Sequence, residues 1–154
     1  MELTDFDTLT FDCYGTLIDR ESGIFAGLKP LIERARVPLS RDQSNARLQV
    51  AFDAIFTAEG IGSYKPSPRN FEYMLEKLGE RGIKKAKILH TAESLFHDHK
   101  PASEFGLASC WIYRRYSQPG FGATMNPGWQ PNVAFRFNSM ADFAKAHQEA
   151  AAKR

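Results

Sequence analysis

Thr8-Leu9-Thr10-Phe11 runs without a break into Asp12-Cys13-Tyr14-Gly15-Thr16, and no other stretch constrains the fold as much. A short run of apolar and β-branched residues closed by a turn is the pattern of a strand buried on both faces of a parallel sheet. Asp12 then stands at the carboxyl end of that strand, the edge of an open α/β sheet where ligands bind. Gly15, with no Cβ, lets the backbone turn sharply and approach a ligand closely. A carboxylate held at such an edge is a candidate nucleophile. Taken alone, it is also the kind of Asp that closes a turn after a strand. Asp5 and Asp7 make a second acid pair, but they precede the strand and read as a solvated segment. Cys13 should face away from Asp12, because successive strand side chains point to opposite faces.

The rest of the chain alternates strand-like and helix-like segments. A helix is expected from Ser22 to about Arg36 and another from Asp42 to Phe52. A strand is expected over residues 54–58, then a loop to Pro68 and a helix to Leu78 with Phe71, Met74, Leu75 and Leu78 on one face. Strands follow at 86–90, 108–113 and 133–137, with a short helix at 98–105, a Gly/Pro-rich loop at 119–132 and a last helix at 140–151. This alternation argues for a doubly wound α/β sheet.

Size and charge narrow the function classes. At 154 residues, one domain spanning 1–154 is the expectation. A net charge of +2 gives no reason to expect a nucleic-acid partner, and no apolar run approaches membrane-spanning length. Met1-Glu2-Leu3-Thr4-Asp5 lacks a signal-peptide pattern, and Cys13 and Cys110 read as buried, reduced thiols. Both point to a cytoplasmic protein.

Two further segments carry chemistry. Ser63-Tyr64-Lys65-Pro66-Ser67-Pro68 places a lysine between prolines that fix its approach and start the next helix. A cation near a carboxylate keeps that carboxylate ionised. Past the strand ending at His90 comes Thr91-Ala92-Glu93-Ser94-Leu95-Phe96-His97-Asp98-His99, which feeds the same sheet edge. His90, His97 and His99 with Glu93 and Asp98 could be read as a zinc or iron site. Their spacing matches no metal motif, and adjacent residues diverge on a helix, so capping and polar support are the favoured roles. Trp111, Tyr113, Phe121 and Trp129 read as core and loop anchors, and Arg114-Arg115 as a solvated strand end.

Asp12-Cys13-Tyr14-Gly15-Thr16, Lys65 and the Glu93-Ser94-x-x-x-Asp98 segment together resemble the haloacid dehalogenase (HAD) superfamily. The resemblance implies a HAD-like Rossmannoid three-layer sandwich with a mainly parallel sheet. It implies that Asp12 attacks the substrate, that Lys65 balances Asp12 and an anionic substrate, and that Ser94 and Asp98 hold Lys65 and the hydrolytic water. Tyr14, Gly15 and Thr16 would face the substrate. Family phosphatases carry a second Asp where this chain has Tyr14, which resembles the 2-haloacid dehalogenase branch. A halide leaves as a stable anion and needs no proton. The resemblance implies that in Mg-dependent members one of the acids matched by Glu93 and Asp98 holds the metal. Here Glu93, in place of Asp, is longer by one methylene, so no cofactor is expected to be required, while Mg at Glu93 stays an alternative.

The chain is shorter than that resemblance implies. A helical cap expected near 38–45 and the second-motif strand, whose groups bind the substrate anion, are not recognisable between Ile32 and Phe52. Such a truncated core would expose an apolar sheet edge and self-associate. The expected function is therefore a hydrolase of the 2-haloacid dehalogenase type acting on a small anionic substrate through a covalent ester. An Mg-dependent phosphatase and a catalytically impaired remnant serving as a non-enzymatic module are the alternatives.

Overall fold

A computed structural model of the chain describes residues 1–13, 16–17, 52–121 and 124–153. The expected helices over 22–36 and 42–52, the absent cap, the missing second motif and the Tyr14-Gly15 turn lie wholly or almost wholly outside those residues.

Among the described residues, four strands form one parallel sheet in the order β1 (Thr8–Phe11), β2 (Ile88–Ala92), β3 (Ala108–Ile112) and β4 (Phe135–Phe137). Helices cover both faces. On one face, α2 (Arg69–Glu80) and α3 (Lys100–Glu104) lie over the sheet, and Phe71, Met74 and Leu78 pack with Ile88, Ala102 and Leu107. On the other, α4 (Met140–Ala151) inserts Phe143 against Leu89, Cys110 and Ile112. The alternation of β2 explains this division: Ile88 faces one layer and Leu89 the other, and all five β2 residues are buried. The result is the three-layer α/β sandwich that the strand–helix alternation predicts.

Helix ends follow the side chains available to close them. Ser139 accepts the Asp142 N–H at the start of α4. A short helix, α1 (Ala58–Ile61), is capped by Thr57 and closed by Gly62 at φ 73°, a conformation glycine adopts without a Cβ clash.

That short helix replaces the strand expected over 54–58. The apolar run there suits a strand, but Phe56 packs edge-on against Tyr73 of α2, with ring centroids 5.7 Å apart, and no ladder forms. Thr57 then accepts the Gly60 N–H and turns the chain into α1. The strand expected at 86–90 lies two residues later, because Lys85–Lys87 form a 3-10 turn first. This shift puts Glu93 directly at the carboxyl edge of β2. The helix expected from Asp98 begins earlier, as a π-helical turn over Leu95–His99 in which the His99 N–H reaches the Ser94 carbonyl.

Candidate active site

Three charged side chains converge where β1 and β2 end. The Lys65 ammonium lies 2.7 Å from Asp12 Oδ1 and 2.5 Å from Asp98 Oδ1. Asp12 is delivered by the end of β1, where its N–H continues the ladder to the Thr91 carbonyl. Asp98 is delivered by the π-turn after β2, and Lys65 by the loop that leads into α2. The side chain of Asp98 is 2% exposed and that of Asp12 16%, so the ammonium sits between two carboxylates that water barely reaches.

Thr16 joins the two loops. Its hydroxyl donates to Asp12 Oδ2 at 3.1 Å and accepts the Glu93 N–H at 2.8 Å. Thr16, expected to face substrate, is placed between Asp12 and the Glu93 turn. It is fully buried, and its one hydroxyl is committed in both directions. Arg114 is not a solvated strand end, because its guanidinium donates to the Thr16 carbonyl and clamps the same turn from β3. Ser94 does not reach Lys65 as expected. Its Oγ accepts the His97 N–H at 3.0 Å and meets His97 Nδ1 at 3.1 Å, so it caps the π-turn that carries Asp98. Tyr14 and Gly15 are outside the described residues.

The histidines are used singly. His90 contacts Thr10 Oγ1 at 2.9 Å and Asp98 Oδ1 at 3.2 Å. His99, fully buried, contacts Ser109 Oγ at 3.0 Å and the Ala92 carbonyl at 2.9 Å. Burial pushes His99 down to about 4, so it is a neutral bracket between β2 and β3. Beside Glu93, a small cleft is lined by Trp111, Tyr113, Arg115 and Phe121. The Trp111 indole N–H donates to the Glu93 carbonyl at 2.8 Å, and Arg136 lies over the Tyr113 ring at 4.3 Å. These aromatics were expected only as anchors, yet Trp111 also braces the Glu93 turn.

The acids are tuned apart. Burial and the charge of Asp98 push Asp12 up from its ordinary value, against the pull of Lys65 and Thr16. Burial also pushes Asp98 up, but the Lys65 charge and the His90 hydrogen bond outweigh it and hold Asp98 at about 2. Lys65 is raised, because its two carboxylates overcome its desolvation, and it stays an ammonium. Burial and Asp12 push the Cys13 thiol up, so it stays protonated and is no nucleophile.

Among the described residues, no three His, Cys, Asp or Glu side chains gather around one point. The two acids that do converge are bridged by an ammonium. His90, His97 and His99 each bond a different partner.

No protein-family model and no curated protein matches the chain. Solved structures do. The HAD-hydrolase YfnB from Bacillus subtilis, bound to magnesium, superposes with a TM-score of 0.52 at 20% identity, over 85% of this chain and 55% of that one. The fold is HAD-like. The L-2-haloacid dehalogenase RSc1362 gives a TM-score of 0.47 at 22% identity, over 66% of this chain and 40% of that one. A HAD phosphatase from Thermococcus onnurineus gives 0.45 at 22%, over 61% and 38%. The chain spans about half the length of YfnB and less of the other two. Among the described residues, no helix is long and apolar enough to cross a membrane.

Proposed function

We infer that the chain carries the catalytic core of a HAD-type hydrolase in which Asp12 is the nucleophile, and that its chemistry is of the 2-haloacid dehalogenase type. The observation that supports this most directly is the Lys65 ammonium within 2.7 Å of Asp12 and 2.5 Å of Asp98. One cation held between buried Asp98 and partly buried Asp12 offsets both charges and leaves Asp12 at the sheet edge to attack.

In the first step an Asp12 oxygen attacks C2 of a small 2-haloacid, the carbon–halogen bond breaks with its electron pair, and an ester forms. A halide needs neither a proton nor a metal to leave, which suits a turn with Tyr14 where a phosphatase would hold a second acid. In the second step water attacks the ester carbonyl of Asp12. The carbonyl–oxygen bond to the substrate breaks, a 2-hydroxyacid leaves, and the water oxygen stays on Asp12. Lys65 offsets the charge of Asp12, of Asp98 and of the arriving substrate anion. Ser94 acts by capping the turn that presents Asp98. Mg is not required by these steps. Glu93, whose carboxyl lies in the field of Asp12 and Asp98, is the acid that would take it.

The test is halide release from 2-chloropropionate, with and without a chelator, by the chain and by Asp12→Asn. Halide release that survives the chelator and is lost in Asp12→Asn is the expected result, since an amide is a poor nucleophile. Chelator-sensitive hydrolysis of a phosphate ester with no halide release would replace this reading with the phosphatase. Neither activity would favour the non-enzymatic module.

A further inference from the structure

His90 sits in the middle of β2 and has no part in the chemistry proposed above. It is 4% exposed, and the edge of the Phe71 ring system lies against it at a centroid distance of 5.2 Å. An apolar side chain would fill that space as well, so the imidazole calls for a reason. Both of its nitrogens are occupied: Nδ1 lies 2.9 Å from the Thr10 hydroxyl and Nε2 lies 3.2 Å from Asp98 Oδ1. An ionised carboxylate only accepts, so Nε2 carries the proton. A neutral ring then has its lone pair on Nδ1, where the Thr10 hydroxyl can donate. One tautomer satisfies every group.

The oxygen that receives His90 is the one that receives Lys65. The bonds therefore close a circuit. Thr10 donates to His90, His90 donates to Asp98, Lys65 donates to both Asp98 and Asp12, and Asp12 follows Thr10 by two residues on the same segment. The parallel register that pairs Thr10 with His90 sets the starting link. A carboxylate on a single-turn loop has rotational freedom of its own. Held only by Lys65, Asp98 could swing and draw the ammonium away from Asp12. A second donor fixed to the sheet removes that freedom.

We propose that His90 is a positioning residue: its Nε2–H, fixed by Thr10, holds Asp98 Oδ1 so that Lys65 stays centred between Asp98 and Asp12. This rests on the reading of Asp12 as the nucleophile only for its kinetic consequence; the hydrogen-bond direction is tested separately.

His90→Leu removes both bonds at similar volume, whereas His90→Gln keeps an N–H for Asp98. His90→Leu should lower kcat for halide release by ~10–100-fold, the range for removing a hydrogen bond behind a functional group, with little change in KM, and His90→Gln should recover most of it. Equal loss in both variants, or wild-type kcat in His90→Leu, would overturn the proposal. Nitrogen NMR of the 15N-histidine-labelled chain reads the same link without any turnover. A proton on Nε2 is expected, with an Nε2 resonance that moves in Asp98→Asn. An Nδ1–H tautomer, or an Nε2 resonance indifferent to Asp98→Asn, would overturn it even if the chain released no halide. Thr10→Val keeps the ring and Asp98, so the Nε2 proton should stay while the Nδ1 resonance moves with the lost hydroxyl; an unchanged Nδ1 resonance would remove Thr10 from the circuit.

Discussion

Asp98 and Glu93 leave the end of the same strand five residues apart, and burial acts on both, yet they settle at about 2 and about 6. The difference is in their partners. Asp98 has the Lys65 ammonium at 2.5 Å and the His90 ring at 3.2 Å, both on one oxygen. Glu93 has Arg115 and Arg114 only as nearby charges, and Asp12 and Asp98 oppose them. For Asp98 the fixed donors outweigh burial and keep it an anion, whereas Glu93, with diffuse charges of both signs, titrates at about 6. The first suits a structural counter-charge. The second suits a group that exchanges protons or a cation.

Removing the shared cation should have the largest effect. In Lys65→Met, Asp12 and Asp98 face each other without a counter-ion, and one must take up a proton at neutral pH. Halide release should disappear. Stability at pH 7 should fall by about 2–3 kcal/mol, less than a fully buried pair would lose because the Lys65 side chain is 31% exposed. Chemical denaturation at pH 7 and pH 4 tests this. The deficit should shrink at the lower pH, as protonation of the acids relieves the repulsion. A deficit that does not depend on pH would mean that Lys65 stabilises by packing alone.

Asp98→Asn should come next. A carboxyl held at about 2 against an ordinary 3.8 stabilises the fold above pH 4, and that contribution is lost as pH falls through about 2. The shift corresponds to about 2 kcal/mol at neutral pH. Asp98→Asn should therefore cost about that much at pH 7 and much less at pH 2, measured by urea denaturation. It should also lower the pKa of Asp12, whose upward shift owes part of its size to Asp98.

The permanent anion was easier to read from sequence than the titrating one. Asp12, Lys65 and Asp98 each follow a recognisable local signal, namely a buried run ending in an acid, a lysine between prolines and an acid after a strand. The structure brings all three together. The helices at 69–80 and 140–151 were legible from apolar spacing that one face of a helix must bury. What failed was decided by tertiary contact. Residues 54–58 make an apolar run like a strand, but Phe56 packs on α2 instead of into the sheet. Ser94 and Thr16 are small hydroxyls that a motif reading assigns to substrate or lysine, while the fold uses them for a cap and a bridge. Arg114 looks solvated because nothing local shows that the Thr16 carbonyl will lie beside it. His90 looked like a member of a histidine cluster because spacing cannot show which ring faces which layer.

Glu93→Gln should give the smallest effect and the sharpest test of the contrast, because its sign is opposite. A folded-state value near 6 against an ordinary 4.5 means that the native protein binds more protons than the unfolded chain between those values. Stability therefore falls as pH rises through that window, and the full penalty is present above pH 6. A fully buried group with this shift would cost about 2 kcal/mol; Glu93 is only half-buried, so solvent screening should reduce the cost to about 1 kcal/mol or less. Glu93→Gln should then be more stable than the parent at pH 7.5, by up to ~2–4 °C in Tm, and nearly equal to it at pH 4.5. Asp98→Asn should show the reverse trend, with a loss at neutral pH that fades in acid. If instead Glu93→Gln is less stable than the parent at pH 7.5, Arg114 and Arg115 hold Glu93 as firmly as Lys65 holds Asp98. The two acids would then differ in position but not in kind.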